Sequence, residues 1–230
     1  MTDNKKKLPI NESRVIMEQA KGTIKSILDA TVELVTNSDD SFKKIDEEER
    51  RTYNAEVQIF VSRKKGGHCK NLTIVDNAMG MEKDDLLKAI EFAGRTSGFE
   101  RGLKVRGFFG RGLKEAILAL GEGLIISYKN NKLIGVRIWE DKGTPYYEEI
   151  IDQSILRNMF ARYKFIANSG TIVSIEVKND FRIPSLVTFE SQITNHYQLR
   201  DINTNPQLQV KLTFIEPEKG NLESHTKIAF

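Results

Sequence analysis

The sequence predicts an α+β domain, a two-layer sandwich of a mixed β-sheet with helices on one face. Three observations predict it. Apolar residues at helical spacing cluster early in the chain, whereas strand-like segments fill its later part. The third is size: 230 residues, 39% of them hydrophobic and 29% charged, can bury a sizeable core, which excludes a disordered chain.

Residues 1–22 read as an N-terminal arm and lead-in, with Lys5, Lys6 and Lys7 as a solvated run. The domain itself is expected over 23–215. Ile24, Ile27, Leu28, Thr31, Leu34 and Val35 keep the helical period to about Ser41, and the charged stretch Phe42 to Arg51 reads as exposed. Val57 to Val61 and Leu72 to Val75, joined through the turn Lys64 to Gly67, predict a β-hairpin. A helix is expected over Glu82 to Ala93. Then Gly94, Gly98, Gly102, Gly107, Gly110 and Gly112 crowd among Arg and Lys residues, which predicts a mobile loop ending in a helix from Arg111 to Leu120. Strands are predicted over Gly123 to Tyr128, Leu133 to Glu140, Tyr146 to Ile151, Tyr163 to Ala167, Thr171 to Val177 and Val210 to Phe214. Helices are predicted at Ser154 to Phe160 and, started by Pro184, at Ser185 to Arg200. Residues 216–230 read as a polar tail leading into a further domain of a longer protein.

Lys plus Arg number 35 against 32 Asp plus Glu, a net charge of +3, so composition makes no case for a nucleic-acid binder. A single cysteine, Cys69, excludes a disulfide framework and a cysteine-based zinc site, and it fits a reducing compartment. His68 beside it reads as an incidental pair. No apolar run approaches the roughly 18 residues of a membrane helix, and no secretory signal is visible, so a soluble cytoplasmic chain is expected.

Four segments carry chemistry. Glu33, Asn37 and Asp40 share one polar stripe of the early helix, Asn37 about 40° from Glu33 and Asp40 about 20° on its other side. A carboxylate beside a carboxamide can hold a divalent ion while a second carboxylate accepts a proton from water. Alone, such a stripe is an ordinary solvated helix face. Asp76-Asn77-Ala78-Met79-Gly80-Met81 follows an apolar strand; a carboxylate there can accept from an exocyclic amine, with glycine letting a flat ring approach. Alone, it is a good turn. Gly107-Phe108-Phe109-Gly110-Arg111-Gly112-Leu113-Lys114 opens a helix and can aim backbone N–H groups at phosphates. It is neither a Walker A loop nor a dinucleotide fingerprint. Gly170-Thr171 opens a late strand.

The order of these motifs resembles that of the GHKL superfamily of ATP-binding domains (gyrase B, the ninety-kilodalton heat-shock chaperones, histidine kinases and MutL), whose fold is the Bergerat type. The resemblance runs from about Ile24 to Val177. It implies ATP and Mg2+ as ligands and a role for each motif residue. Glu33 would be the general base that activates water. Asn37 would bind magnesium, and Asp40 would help shape the pocket. Asp76 would take the adenine amino group with support from Thr171, Gly80 would let the base approach, and Met81 would pack near it. Gly107, Gly110 and Gly112 would wrap the triphosphate, with Phe109, Arg111 and Leu113 in the same lid segment and Arg95, Thr96 and Ser97 adding polar contacts. Ala78 stands where the family usually has glycine.

Within the superfamily Glu33 favours the ATPase branch, since histidine kinases usually carry Asn there, and the block is closest to the chaperone, MutL and MORC groups. The implied activity is a Mg-dependent ATPase acting as a nucleotide-driven conformational or dimerisation clamp, with an ATP-dependent homodimer. A non-catalytic nucleotide-sensing or interaction module and a histidine-kinase-like phosphotransferase are the alternatives. Nucleic-acid contact stays open, because the basic run Arg95, Arg101, Lys104, Arg106, Arg111 and Lys114 has the triphosphate as its first ligand. No membrane partner is implied.

Overall fold

The computed structural model describes residues 8–45, 54–92, 112–163, 168–178, 180–215 and 224–228. One mixed sheet organises them. Its eight strands are β1 (Ala55–Arg63), β2 (Cys69–Asp76), β3 (Gly121–Lys129), β4 (Lys132–Asp141), β5 (Thr144–Glu149), β6 (Gly170–Val177), β7 (Leu208–Ile215) and β8 (Ser224–Ile228). Their spatial order is β5-β4-β3-β6-β2-β1-β7-β8. Neighbours run antiparallel except β1 and β7, which are parallel. The β3–β4 and β4–β5 hairpins close through two-residue loops whose residues all have positive φ: Asn130 and Asn131 in the first, Lys142 and Gly143 in the second. That geometry matches the right-handed twist of the strands it joins.

Alternation sorts each strand onto two faces. One face, with Val57, Ile59, Ile74, Ile125, Val136 and Val173 among its buried residues, carries the main core. Against it pack α1 (Glu12–Thr23), α2 (Ile27–Phe42), α3 (Lys83–Ile90), α4 (Gly112–Leu120) and α6 (Leu186–Thr194). Helix α4 is the central element: every residue but Leu113 is buried, and it touches α1, α2 and strands β3, β4 and β6. A helix apolar nearly all round fits that position. The α+β sandwich predicted from the sequence is therefore the observed fold.

The opposite face adds a smaller cluster. Val75, Ile126 and Ile172 are covered by Leu156 of α5 (Gln153–Phe160), with Tyr128 against Phe160 at 4.8 Å between ring centres and Phe60 against Tyr163 at 5.4 Å.

Several elements depart from the sequence reading. Residues 12–22, read as lead-in, belong to α1; Asn11 caps it by accepting from the Arg14 N–H at 3.0 Å. Its buried face is small, chiefly Met17 and Ala20, which is why the periodicity was faint. Phe42 and Ile45, placed in an exposed stretch, are buried in the core, because α2 runs through Phe42 before it ends. The single helix expected over Ser185 to Arg200 breaks after Thr194. Asn203 donates from Nδ2 to the carbonyls of Ile193 (3.4 Å) and Thr194 (2.8 Å), satisfying helix-end acceptors that a further turn would have used. A 3-10 turn at Tyr197–Leu199 and the short α7 (Arg200–Asn203) follow. The tail contributes β8, antiparallel to β7. Of the strand expected at Tyr163 to Ala167, Tyr163 is not in a strand and 164–167 lie outside the described residues. Among the described residues no helix is long and apolar enough to cross a membrane.

Candidate functional site

The polar stripe of α2 is set by how that helix starts and what it packs on. Ser26 caps it by accepting from the Asp29 N–H at 3.0 Å, and Asp29 in turn accepts from the Lys25 N–H at 3.0 Å. Ile27, Leu34 and Val35 are buried against the sheet and α4. That orientation leaves Glu33 and Asn37 half-buried beside the core, with Asp40 buried at the far end. Lys43 Nζ lies 3.6 Å from Asp40 Oδ1 and 2.6 Å from Asp39 Oδ2.

Glu33 faces the first turn of α4. A Cβ added at Gly112 would overlap the Glu33 carboxyl. Burial, then the nearby charges of Glu115 and Asp40, hold the Glu33 carboxyl above its ordinary range. Glu115 is 1% exposed and joins the site as a residue that the sequence did not single out.

The second half of the site lies at the end of β2. Asp76 is 6% exposed; its Oδ2 accepts from Ser38 Oγ at 2.7 Å and its Oδ1 from the Ala78 N–H at 3.0 Å. Burial pushes this carboxyl up to about 6, opposed by the hydrogen bonds from Ser38, Ala78 and the Thr171 backbone. Thr171 stands directly opposite Asp76 in the β2–β6 ladder, as its implied role requires. Because Ser38 sits on α2 next to Asn37, one helix holds both the polar stripe and a partner of Asp76. No sequence signal marked Ser38, whose residue type alone says nothing about a contact 38 positions away.

The loop after Asp76 is pinned residue by residue. Asn77 ties back to β1 and the residue before it: its Oδ1 accepts from the Glu56 N–H (2.8 Å) and its Nδ2 donates to Asn54 O (2.9 Å). Ser169 Oγ donates to Ala78 O at 2.5 Å. The Met81 N–H donates to Ser127 Oγ at 2.6 Å, a second partner missed in the sequence. Gly80 has φ +61°, and a Cβ there would overlap the Tyr128 carbonyl. Glycine at 80 is thus required by the close passage of β3, independently of any ring that approaches. The Ala78 methyl is fully buried in the core.

Gly112 and Leu113 begin α4, Leu113 packing on the core. Thr96, Ser97, Gly107, Phe109, Gly110 and Arg111 lie outside the described residues, as do the other basic lid positions except Lys114. Among the described residues Lys114 faces α3. Its side chain is buried, donates from Nζ to Ala89 O at 3.1 Å and lies 5.1 Å from the centre of the Phe92 ring, so it ties the start of α4 to the end of α3.

Among the described residues no group of three or more His, Cys, Asp or Glu is arranged to hold a metal. A magnesium ion keeps several waters and takes few protein oxygens besides those of substrate phosphates. The Asn37 carboxamide, one turn from Glu33, fits that sparse ligand set.

An α+β sandwich of a mixed sheet, with an acid–amide–acid helix packed on it and a buried Asp at a strand end, has the architecture of the Bergerat type. The family model of histidine kinase-, DNA gyrase B-, and HSP90-like ATPases matches residues 25–150, more than half of the chain, and the chain belongs to that family. A comparison with curated proteins gave no match.

Proposed function

We propose that this chain binds ATP with magnesium, hydrolyses it, and uses the cycle as a dimerisation clamp of the chaperone, MutL and MORC kind. The observation that carries the reading is the Glu33 carboxyl: half-buried, raised above its ordinary range, and on the same helix as Asn37. A base whose pKa is lifted toward the working pH accepts a proton more readily in the transition state.

In this mechanism Asp76 and Thr171 receive the adenine edge. The Asp76 oxygens already accept from Ser38 and Ala78, and a remaining lone pair accepts from the exocyclic amine. Glu33 takes a proton from water as the water oxygen bonds to the γ-phosphorus. The bond to the bridging oxygen breaks, leaving ADP and inorganic phosphate. Asn37 would hold the magnesium, which would neutralise phosphate charge. Glu33, being adjacent to Gly112, links the reacting centre to the start of α4.

Calorimetry and a phosphate-release assay on the Glu33→Ala variant test this reading. ATP affinity is expected to stay within about threefold of wild type while turnover falls at least about 10²-fold. Unchanged turnover removes Glu33 from the base role. Saturable binding without turnover in the wild-type protein replaces the ATPase with a nucleotide sensor.

A further inference from the structure

Gly112 opens α4 with helical backbone and without the positive φ that would call for glycine. In a helix alanine is the better residue, so conformation gives no reason for glycine here. Space does. A Cβ at this position would overlap Oε1, Cδ and Cγ of Glu33, so the Glu33 carboxyl occupies the place of the missing side chain. Glu115, on the same first turn of α4, and Asp40, two turns along α2, are both buried acids that act on the same carboxyl. Repulsion from these acids acts to displace the Glu33 carboxyl, and a notch that accepts it opposes the displacement.

We propose that Gly112 is a positioning residue for Glu33: its absent side chain is the socket that fixes the carboxyl between α2 and α4. Its kinetic consequence rests on the ATP-hydrolysis reading; the socket itself does not. The role differs from wrapping the triphosphate, which the resemblance implied for this glycine, and the two make opposite predictions.

A double-mutant cycle on the full chain tests it, with Gly112→Ala, Glu33→Ala and the pair followed by thermal unfolding without nucleotide. Gly112→Ala is expected to lower Tm by about 2–4 °C when Glu33 is present, since the overlapping carboxyl must swing aside. In the Glu33→Ala background the same change should leave Tm unchanged or raise it, since the overlap is gone and alanine favours the helix. An equal fall in both backgrounds overturns the socket. If Gly112→Ala alone does not fold, folding of the pair upholds the coupling and failure of both overturns it.

The kinetic arm separates the two roles. A displaced base lowers turnover by about 10²-fold with ATP affinity nearly kept. A loss of ATP affinity as large as the loss of turnover returns Gly112 to phosphate contact and overturns the positioning role. Coupling in Tm together with no hydrolysis by the wild-type protein upholds the socket and removes the catalytic role of Glu33 alone.

Discussion

Burial holds the Asp76 carboxyl near a pKa of about 6, above the 3.8 of an exposed aspartate, and this ties its proposed ligand role to stability. Between those values the folded chain binds more protons than the unfolded one, so this residue's contribution to stability falls as pH rises from about 4 through 6 and is then constant. Asp76→Asn carries no such penalty. Thermal unfolding across pH 4–8 is expected to show the variant gaining on wild type as pH rises through about 6, by up to about 3 kcal/mol, with no gain near pH 4. The same variant should lose ATP binding, because the amide presents a donor to the adenine amine. Wild-type ATP affinity in Asp76→Asn would refute the adenine assignment, and a gain independent of pH would refute the linkage. At this scale the sequence singles out residues by their own type and place in a motif, as with Glu33, Asn37 and Asp76; the proposed roles of Glu33 and Asp76 are tested by the variants Glu33→Ala and Asp76→Asn. It was silent on Ser38, Ser127 and Glu115, whose roles are contacts made by tertiary packing.

Elements were legible in proportion to how much apolar surface they bury. Helix α2 and the strands β1, β2, β3, β4, β6 and β7 announce themselves by regular burial, whereas α1 buries little and β8 lies in a polar tail. The break after α6 depends on Asn203, nine residues beyond the last residue of the helix, so local propensity could not report it. The short helix α5 offers a test of how far the second face supports the fold. Leu156 is fully buried there against Val75, Ile126 and Ile172. Leu156→Ala is expected to cost about 2–5 kcal/mol in urea unfolding. A loss below about 1 kcal/mol would mean that the cluster collapses to fill the space and that α5 adds little.

For the whole molecule, the fold class came from the distribution of patterns and the strand order did not. Nothing in the chain order announces that β6 enters between β3 and β2, or that β7 lies parallel to β1. The clamp proposal belongs to this scale. In the Glu33→Ala variant, which should retain ATP, sedimentation with ATP and magnesium is expected to shift the chain to twice its mass, and ADP should leave it unchanged. A monomer under both conditions would leave ATP turnover without a dimerising clamp.

The row Asp76–Thr171–Ser127, one residue from each of β2, β6 and β3, runs straight across three neighbouring strands. Its middle member arrives last along the chain, so the adenine wall proposed for Asp76 and Thr171 is complete only once β6 is seated. A one-residue slip of β6 would set Ile172 or Gly170 opposite Asp76 and turn the threonine away. On the proposed reading, nucleotide binds chains whose central strand is in the right register and not those where it has slipped. By mass action a nucleotide bound as proposed would draw the folding equilibrium toward that arrangement, so the ligand of the domain would also proofread its assembly.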